Sequence, residues 1–303
     1  MPLRVGIVGL GKIARDQHLP AIAASPDLEL AAIATRAADP AAKYSSIAEL
    51  LAGEPDLDAV ALCQPPQARF DAARTAIAAG KHVFLEKPPG TTLGEVAALA
   101  ALADAQGVTL FASWHSRYAS GVEAARSWLA GKTISAVSIE WKEDVRHWHP
   151  GQDWIWQPGG FGVFDPGINA LSIATAILPD FFLLDGTMLF PANRAAPIAA
   201  DLRFRLVEGA PVRAVFDWRQ TGPQTWDITV ETGDGTLTLG HGGNTLAIDG
   251  AAVTLPAEAE YPNLYRRFVE LVRAGESDVD VRPLRHVADA FLACTHERGE
   301  AFD

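Results

Sequence analysis

The sequence predicts an α/β chain of two domains: a doubly wound parallel sheet first, then an α+β domain on an open, largely antiparallel sheet. Three observations carry this expectation. The 303 residues exceed what one core comfortably fills, because single cores stop growing near ~250 to 300 residues. The first stretch, to about residue 120, alternates short β-branched runs with alanine-rich helical stretches, the pattern of parallel strands covered by helices. From Val122 the texture changes to longer alternating runs broken by glycine turns, the pattern of antiparallel strands with one buried face. The expected domains are therefore residues 1–121 and 122–303.

In the first domain, strands are expected at residues 4–8, 28–34, 59–62, 82–85 and 109–112, and helices at 12–24, 46–52, 67–79 and 93–106. Gly53, Gly80 and Gly107 sit just past three of these helices, where a left-handed residue ends the last turn. The second domain opens with a helix at 122–129, followed by strands at 136–145, 212–218, 226–232, 235–239 and 245–248, with Gly233-Asp234-Gly235 as a turn. Closing helices are expected at 261–273 and 284–297, the latter introduced by Pro283, and both are able to pack back on the first domain.

Composition excludes several classes of partner. With 25 basic and 37 acidic residues the net charge is −12, which repels a phosphate backbone and leaves no basic stripe for nucleic acid. No run approaches the ~18 apolar residues of a membrane span, and the longest candidate, residues 170–178, reads as a core helix. Met1-Pro2-Leu3-Arg4 leads straight into a strand without a signal-peptide pattern, so a cytoplasmic protein is expected. Cys63 and Cys294 lie in unrelated segments without ligand spacing and read as buried thiols.

Gly9-x-Gly11-x-x-Ala14 follows the first strand and opens the first helix, the context in which this motif holds a dinucleotide pyrophosphate. Gly9 permits the tight turn, Gly11 lets the backbone approach the phosphates, and Ala14 allows close helix packing, with Lys12 and Ile13 at the helix N-terminus. At the end of the second strand an acidic residue would bind the ribose 2′-hydroxyl and exclude a 2′-phosphate; none is present. Thr35 offers a hydroxyl there and Arg36 a guanidinium, so NADP is expected to be preferred, with NAD accepted. Gln64-Pro65-Pro66 forms a stiff turn at the carboxyl edge of the third strand, where ligands of such sheets bind.

These landmarks, with the run Leu85-Glu86-Lys87-Pro88-Pro89, resemble the Gfo/Idh/MocA family of oxidoreductases. The family pairs an N-terminal Rossmann domain with a substrate domain on an open antiparallel sheet. Within it, residues 142–151 and 162–171 look like the aldose 1-dehydrogenases that oxidise L-arabinose and D-galactose. The resemblance implies an enzyme that oxidises the anomeric carbon of a pyranose to the lactone. The alternatives are an oxidoreductase of the same family acting on another polyol, cyclic diol or carbonyl compound, or a non-catalytic NAD(P)-sensing regulator. It also implies a cis Lys87-Pro88 peptide, and a homo-oligomer paired through the outer face of the second sheet.

The candidate catalytic residues are Lys87, Asp165 and Asn169. Lys87 follows a buried run, where burial and a positive cofactor ring would lower its pKa and suit it to donate to a sugar oxygen. Glu86 is expected to serve the ribose or the structure rather than the chemistry. Asp165-Pro166 reads as a helix start with aspartate capping, yet Asn169 lies one turn along the same face, so both side chains project into one volume. The usual family pattern has histidine where Asn169 stands, so proton removal falls to Asp165, to Lys87 or to a water between them; Asp165 is the expected base, with Asn169 fixing the anomeric oxygen or an adjacent hydroxyl.

Glu143 interrupts the apolar face formed by Val137, Ile139, Trp141 and Val145 and needs a partner: a substrate hydroxyl or an internal ion pair with Arg146. His149 is expected to donate to substrate, and His115 to line the cleft near the nicotinamide. Trp148, Trp154 and Trp156 offer aromatic faces for a pyranose, at least one of them being only core. His147-x-His149 lacks a third nearby ligand, so no metal is expected.

Overall fold

Five parallel strands form the first sheet of the computed structural model, which describes residues 1–303. They are β1 (Leu3–Val8), β2 (Leu28–Ala34), β3 (Ala59–Leu62), β4 (His82–Leu85) and β5 (Leu110–Ala112), in the order β2-β1-β3-β4-β5. Parallel neighbours need crossovers, which here are α1 (Leu19–Ala24), α2 (Ile47–Gly53), α3 (Arg69–Ala78) and α4 (Leu93–Gln106). Each strand expected in this half is present, with bounds within one residue of the expected ones. Side-chain alternation splits the sheet into two buried faces. Val60, Leu62, Val83 and Leu85 enter one core with Leu50, Ala73, Ile77 and Leu99 of the helices.

The first helix departs from regular α geometry. Residues Ala14–His18 form a wide π turn, with the Leu19 N–H bonding back to the Ala14 carbonyl, before α1 continues. Pro20 supplies the cause: it has no N–H for the Asp16 carbonyl and its ring crowds that oxygen, so the preceding turn widens.

The second unit carries α5 (Val122–Leu129), β6 (Ile134–Lys142), α6 (Val145–Trp148), α7 (Phe164–Ile177) and then β7 (Phe181–Pro191), β8 (Ala199–Leu206) and β9 (Pro211–Asp217). It continues through β10 (Thr225–Thr232), β11 (Gly235–Gly240), β12 (Thr245–Ile248) and β13 (Ala251–Ala252). Two helices, α8 (Glu260–Ala274) and α9 (Arg282–Ala293), precede a last strand, β14 (Thr295–Gly299). The nine strands run β13-β12-β11-β10-β6-β9-β8-β7-β14, antiparallel except at β6-β9 and β7-β14. Leu202, Phe204, Ala214, Phe216, Ile139 and Ile228 fill the face covered by α5, α7 and α9. The opposite face carries paired charges such as Arg213–Asp201 and Arg203–Asp185.

Three expectations are corrected here. The strand expected over 136–145 stops at Lys142, and Val145–Trp148 turns into a short helix capped by the Asp144 side chain on the Arg146 N–H. Strands β7 and β8 fill a stretch that carried no expected element. The helix expected to residue 297 ends at Ala293, after which Thr295–Gly299 pairs in parallel with β7. Those last residues, Thr-His-Glu-Arg-Gly, show no apolar alternation because the strand is an exposed, charged edge.

The chain divides into residues 1–115 with 261–281, and residues 116–260 with 282–303, so it crosses between units three times rather than once near 121. The first unit recaptures α8 for a physical reason. Phe84 and Phe111 on the second face of the parallel sheet need cover, which Tyr265 gives at 4.9 Å from Phe84, and Phe268 at 5.5 and 6.2 Å from Phe84 and Phe111. The segment after α8 then lies along β5, with the Ala112 N–H donating to the Asp278 carbonyl and the Trp114 indole to that of Asp280.

Candidate active site

The turn after β1 is shaped for a phosphate. Gly9 has φ +95°, and a Cβ there would stand 2.9 Å from the Gln64 amide nitrogen, so only glycine fits. A Cβ on Gly11 would meet nothing within 4 Å, which leaves open space over its backbone. Ala14 is fully buried, as close helix packing requires. Lys12 is exposed and paired with Asp16, and Ile13 is half-buried.

At the end of β2, Thr35 is half-buried and Arg36 exposed. The nearest acid beyond them, Asp39, is engaged by Arg15. At the end of β3, the Gln64 side-chain oxygen is buried without a hydrogen-bond partner, an arrangement that costs free energy unless a donor arrives. Pro65 and Pro66 lead from it into α3. The open backbone at Gly11, the left-handed Gly9 and the orphan acceptor on Gln64 fit a dinucleotide.

Arg69 is a residue that the sequence reading did not single out, and it holds the loops that carry Gln64 and Lys87. Only 2% exposed, it donates to the carbonyls of Gln64, Glu86 and Pro88, tying the loops after β3 and β4 together. The one visible signal was an arginine three residues after the Pro65-Pro66 pair, where a helix opens.

Glu86, expected to serve the ribose or the structure, is held by three groups of the protein. Its Oε1 accepts from the Tyr261 hydroxyl at 2.6 Å and sits 3.1 Å from His18 Nε2, while Oε2 accepts the Lys87 backbone N–H at 2.7 Å. Burial alone would raise its pKa, but hydrogen bonding and charge from His18, with His115 and Tyr261, hold it down to about 2. Burial likewise penalises a charged His18, yet Cys63, Tyr265 and Glu86 outweigh it and raise the imidazole well above its ordinary value. The Lys87-Pro88 peptide is cis, as the resemblance implied. His115 stacks on Tyr261 with ring centroids 5.6 Å apart.

In the second unit, sheet register gathers a cluster around Glu143. Parallel pairing of Lys142 with Asp217 carries Trp218 to one side, and antiparallel pairing of Trp141 with Trp226 brings the second indole to the other. Trp218 Nε1 donates to Glu143 Oε1 at 3.2 Å and Trp226 Nε1 to Oε2 at 2.8 Å. Arg146, the expected local ion-pair partner, is instead exposed, its guanidinium 4.3 Å from the Phe302 ring and bonded to the Asp303 carbonyl. The ring beside Glu143 is that of His149, whose Nε2 lies 3.6 Å from Glu143 Oε1 and 3.8 Å from Asp165 Oδ2.

Asp165 does not cap its helix. Val163 occupies the cap position of α7, and Asp165 falls inside the first turn with its side chain buried, 4% exposed. A carboxylate in the first turn is favoured by the helix dipole. The left-handed Phe161 and Gly162 bend the chain into this turn, and a Cβ on Gly162 would lie 2.2 Å from the Pro197 carbonyl. Asn169, one turn further along α7, is half-exposed. Trp148 packs on Trp226 at 5.0 Å and His149 on Trp218 at 5.2 Å, so the indoles that hold Glu143 also support this segment. Trp154 is half-buried, whereas Trp156 is buried against Trp218 and belongs to the core. His147 is exposed beside Trp148, and no group of three His, Cys, Asp or Glu is arranged to hold a metal ion.

Comparison with known proteins places this arrangement among relatives. The model of an oxidoreductase family with an NAD-binding Rossmann fold matches residues 3–113. Across 304 aligned residues, 99% of either chain, the sequence is 46% identical to a galactose 1-dehydrogenase of Pseudomonas fluorescens. The crystal structure of a D-galactose-1-dehydrogenase protein from Rhizobium etli superposes with TM-score 0.95 at 59% identity, covering 100% of this chain and 98% of that one. A 3-ketoreductase from Actinomadura kijaniata, solved with NADP, shares the fold alone at 20% identity and TM-score 0.82, over 99% and 100% of the chains.

Proposed function

The chain belongs to the Gfo/Idh/MocA family of NAD(P)-binding oxidoreductases, and we propose that it is an aldose 1-dehydrogenase acting on D-galactose or a close relative such as L-arabinose. The observation that carries this reading is the likeness to a galactose 1-dehydrogenase along the whole chain, including the stretch with Glu143, His149, Asp165 and Asn169. The bound nicotinamide supplies the acceptor for the hydride that leaves C1.

The protein's own groups divide the remaining work. Gly9, Gly11, Lys12 and Ile13, at the start of a helix, hold the pyrophosphate. Thr35 and Arg36 take the 2′-phosphate, so NADP is preferred and NAD accepted. Gln64, Pro65 and Pro66 border the nucleotide, with the orphan Gln64 oxygen accepting from it. Asp165 takes the proton of the anomeric hydroxyl, and Asn169 and Lys87 donate to the same oxygen. Glu143 and His149 bind ring hydroxyls, Trp148 and Trp154 cover the apolar face of the sugar, and His115 borders the nicotinamide.

Steady-state kinetics with a panel of epimeric aldoses and both cofactors, with detection of the lactone, tests the reading. Oxidation of D-galactose or L-arabinose to the lactone is expected; turnover of a cyclic diol with none of any aldose would sink it.

A further inference from the structure

Next to Lys87 the first unit buries an ion pair that the chemistry above does not use. His18 is 0% exposed and Glu86 3%. The imidazole bridges two partners, Glu86 Oε1 at 3.1 Å through Nε2 and the Tyr265 hydroxyl at 2.7 Å through Nδ1. Phe84, Tyr261 and Tyr265 surround the ring edge-on at 5.4, 5.0 and 5.6 Å. Taking two charges out of water is expensive, and apolar side chains of equal volume often serve stability as well or better. Whatever stability the pair contributes, apolar packing could supply it as well, so stability alone does not account for its place beside Lys87.

Its connections do. His18 closes the wide turn that begins at Ala14, five residues after Gly9, while Tyr261 and Tyr265 come from α8. His18 and Tyr261 converge on Glu86, with Tyr265 joined to it only through His18 Nδ1, and the remaining Glu86 oxygen receives the backbone N–H of Lys87 at 2.7 Å. The helix that starts at the phosphate turn is thus linked to the peptide of the lysine through one carboxylate.

We propose that His18 is a positioning residue for Lys87: through Glu86 it registers the lysine's backbone to the helix that begins at the glycine turn, and so sets turnover without touching sugar or nucleotide. The proposal rests on the reading that Lys87 donates to the anomeric oxygen. Misplacing a reacting group by ~1 Å can cost about 100-fold in rate, so a backbone anchor one residue away is placed to matter.

The test compares kcat, sugar KM and NADP affinity of the full chain and its variants. His18→Leu should lower kcat about 10- to 100-fold, with sugar KM and NADP affinity within about twofold. His18→Gln, whose amide keeps a donor for Glu86, should recover most of the loss. His18→Leu combined with Glu86→Gln should be no slower than Glu86→Gln alone, because both act through one route. Should His18→Leu fail to fold, Tyr261→Phe carries the test: it removes one donor to Glu86 and should lower kcat alone. Wild-type kcat with a lowered melting temperature, a loss confined to KM, or additive losses in the double variant would each overturn the positioning role. Undiminished turnover in Lys87→Met would overturn the reading of the lysine itself; an inactive Lys87→Met beside a fully active His18 variant overturns only the link.

Discussion

Asp165 is the residue on which the proposed chemistry turns, and it lies inside the first turn of α7 rather than at its cap. Because Val163 takes the cap position, the Asp165 carboxylate is buried in the first turn of α7 with His149 at 3.8 Å. Asp165→Ala should abolish sugar oxidation while leaving NADP binding intact, measured by calorimetric titration with NADP beside turnover. Arg36→Ala should weaken NADP binding far more than NAD binding; equal losses would remove the 2′-phosphate role. The buried pair gives a pH signature whose sign follows from its two shifts. Glu86, lowered to about 2, stabilises the fold above its unfolded value of roughly 4.3, and this contribution is lost as pH falls toward its folded value. His18, raised, contributes below its unfolded value of roughly 6.5, and that contribution is lost as pH rises through the higher folded value. Urea unfolding of wild type and Glu86→Gln across pH should therefore differ most between about pH 4.5 and 6.5. The residue types at these positions were legible in the sequence, but their partners were not. Glu143 meets Trp218 and Trp226, 75 and 83 positions away, rather than the nearby Arg146, because strand pairing and not proximity in sequence chose its neighbours.

Elements explain how those side chains are held. Helix α7 lies close on the antiparallel sheet because Gly167 has no side chain: a Cβ there would stand 2.9 Å from the ring of Phe216 on β9. This glycine lies between Asp165 and Asn169, so any lift of the helix moves both. Gly167→Val should cost about 1–3 kcal/mol of stability through overpacking, read by denaturant unfolding, and should lower kcat beyond what the loss of folded protein explains. Strands β3, β4 and β5 of the parallel sheet were legible because each is a short apolar run bounded by turn residues and buried on both faces. Strand β14 was not, since a charged edge strand carries no periodic signal and follows α9 without a break residue. The widening of the turn at Ala14–His18, inside the helix expected over 12–24, was also not foreseen, although Pro20 marks it.

At the scale of the whole chain, two units share one polypeptide that passes between them at residues 115/116, 260/261 and 281/282. A fragment of residues 1–115 lacks α8 and leaves Phe84 and Phe111 uncovered, so it should stay molten and bind no NADP. Joining residues 261–281 to it should restore cooperative unfolding by circular dichroism and nucleotide binding. No helix is long and apolar enough to cross a membrane. The sequence by itself determined the βα alternation, the glycine turn, the absence of an acid beside Arg36 and the lysine after β4, because each rests on local periodicity or on the special geometry of one residue type. Only the tertiary structure decided that α8 returns to the parallel sheet, that Arg69 pins three carbonyls and that His18 meets Glu86. Those facts depend on which distant surfaces must be covered and which buried polar groups must find a partner, and no short window of sequence contains both halves of such a contact.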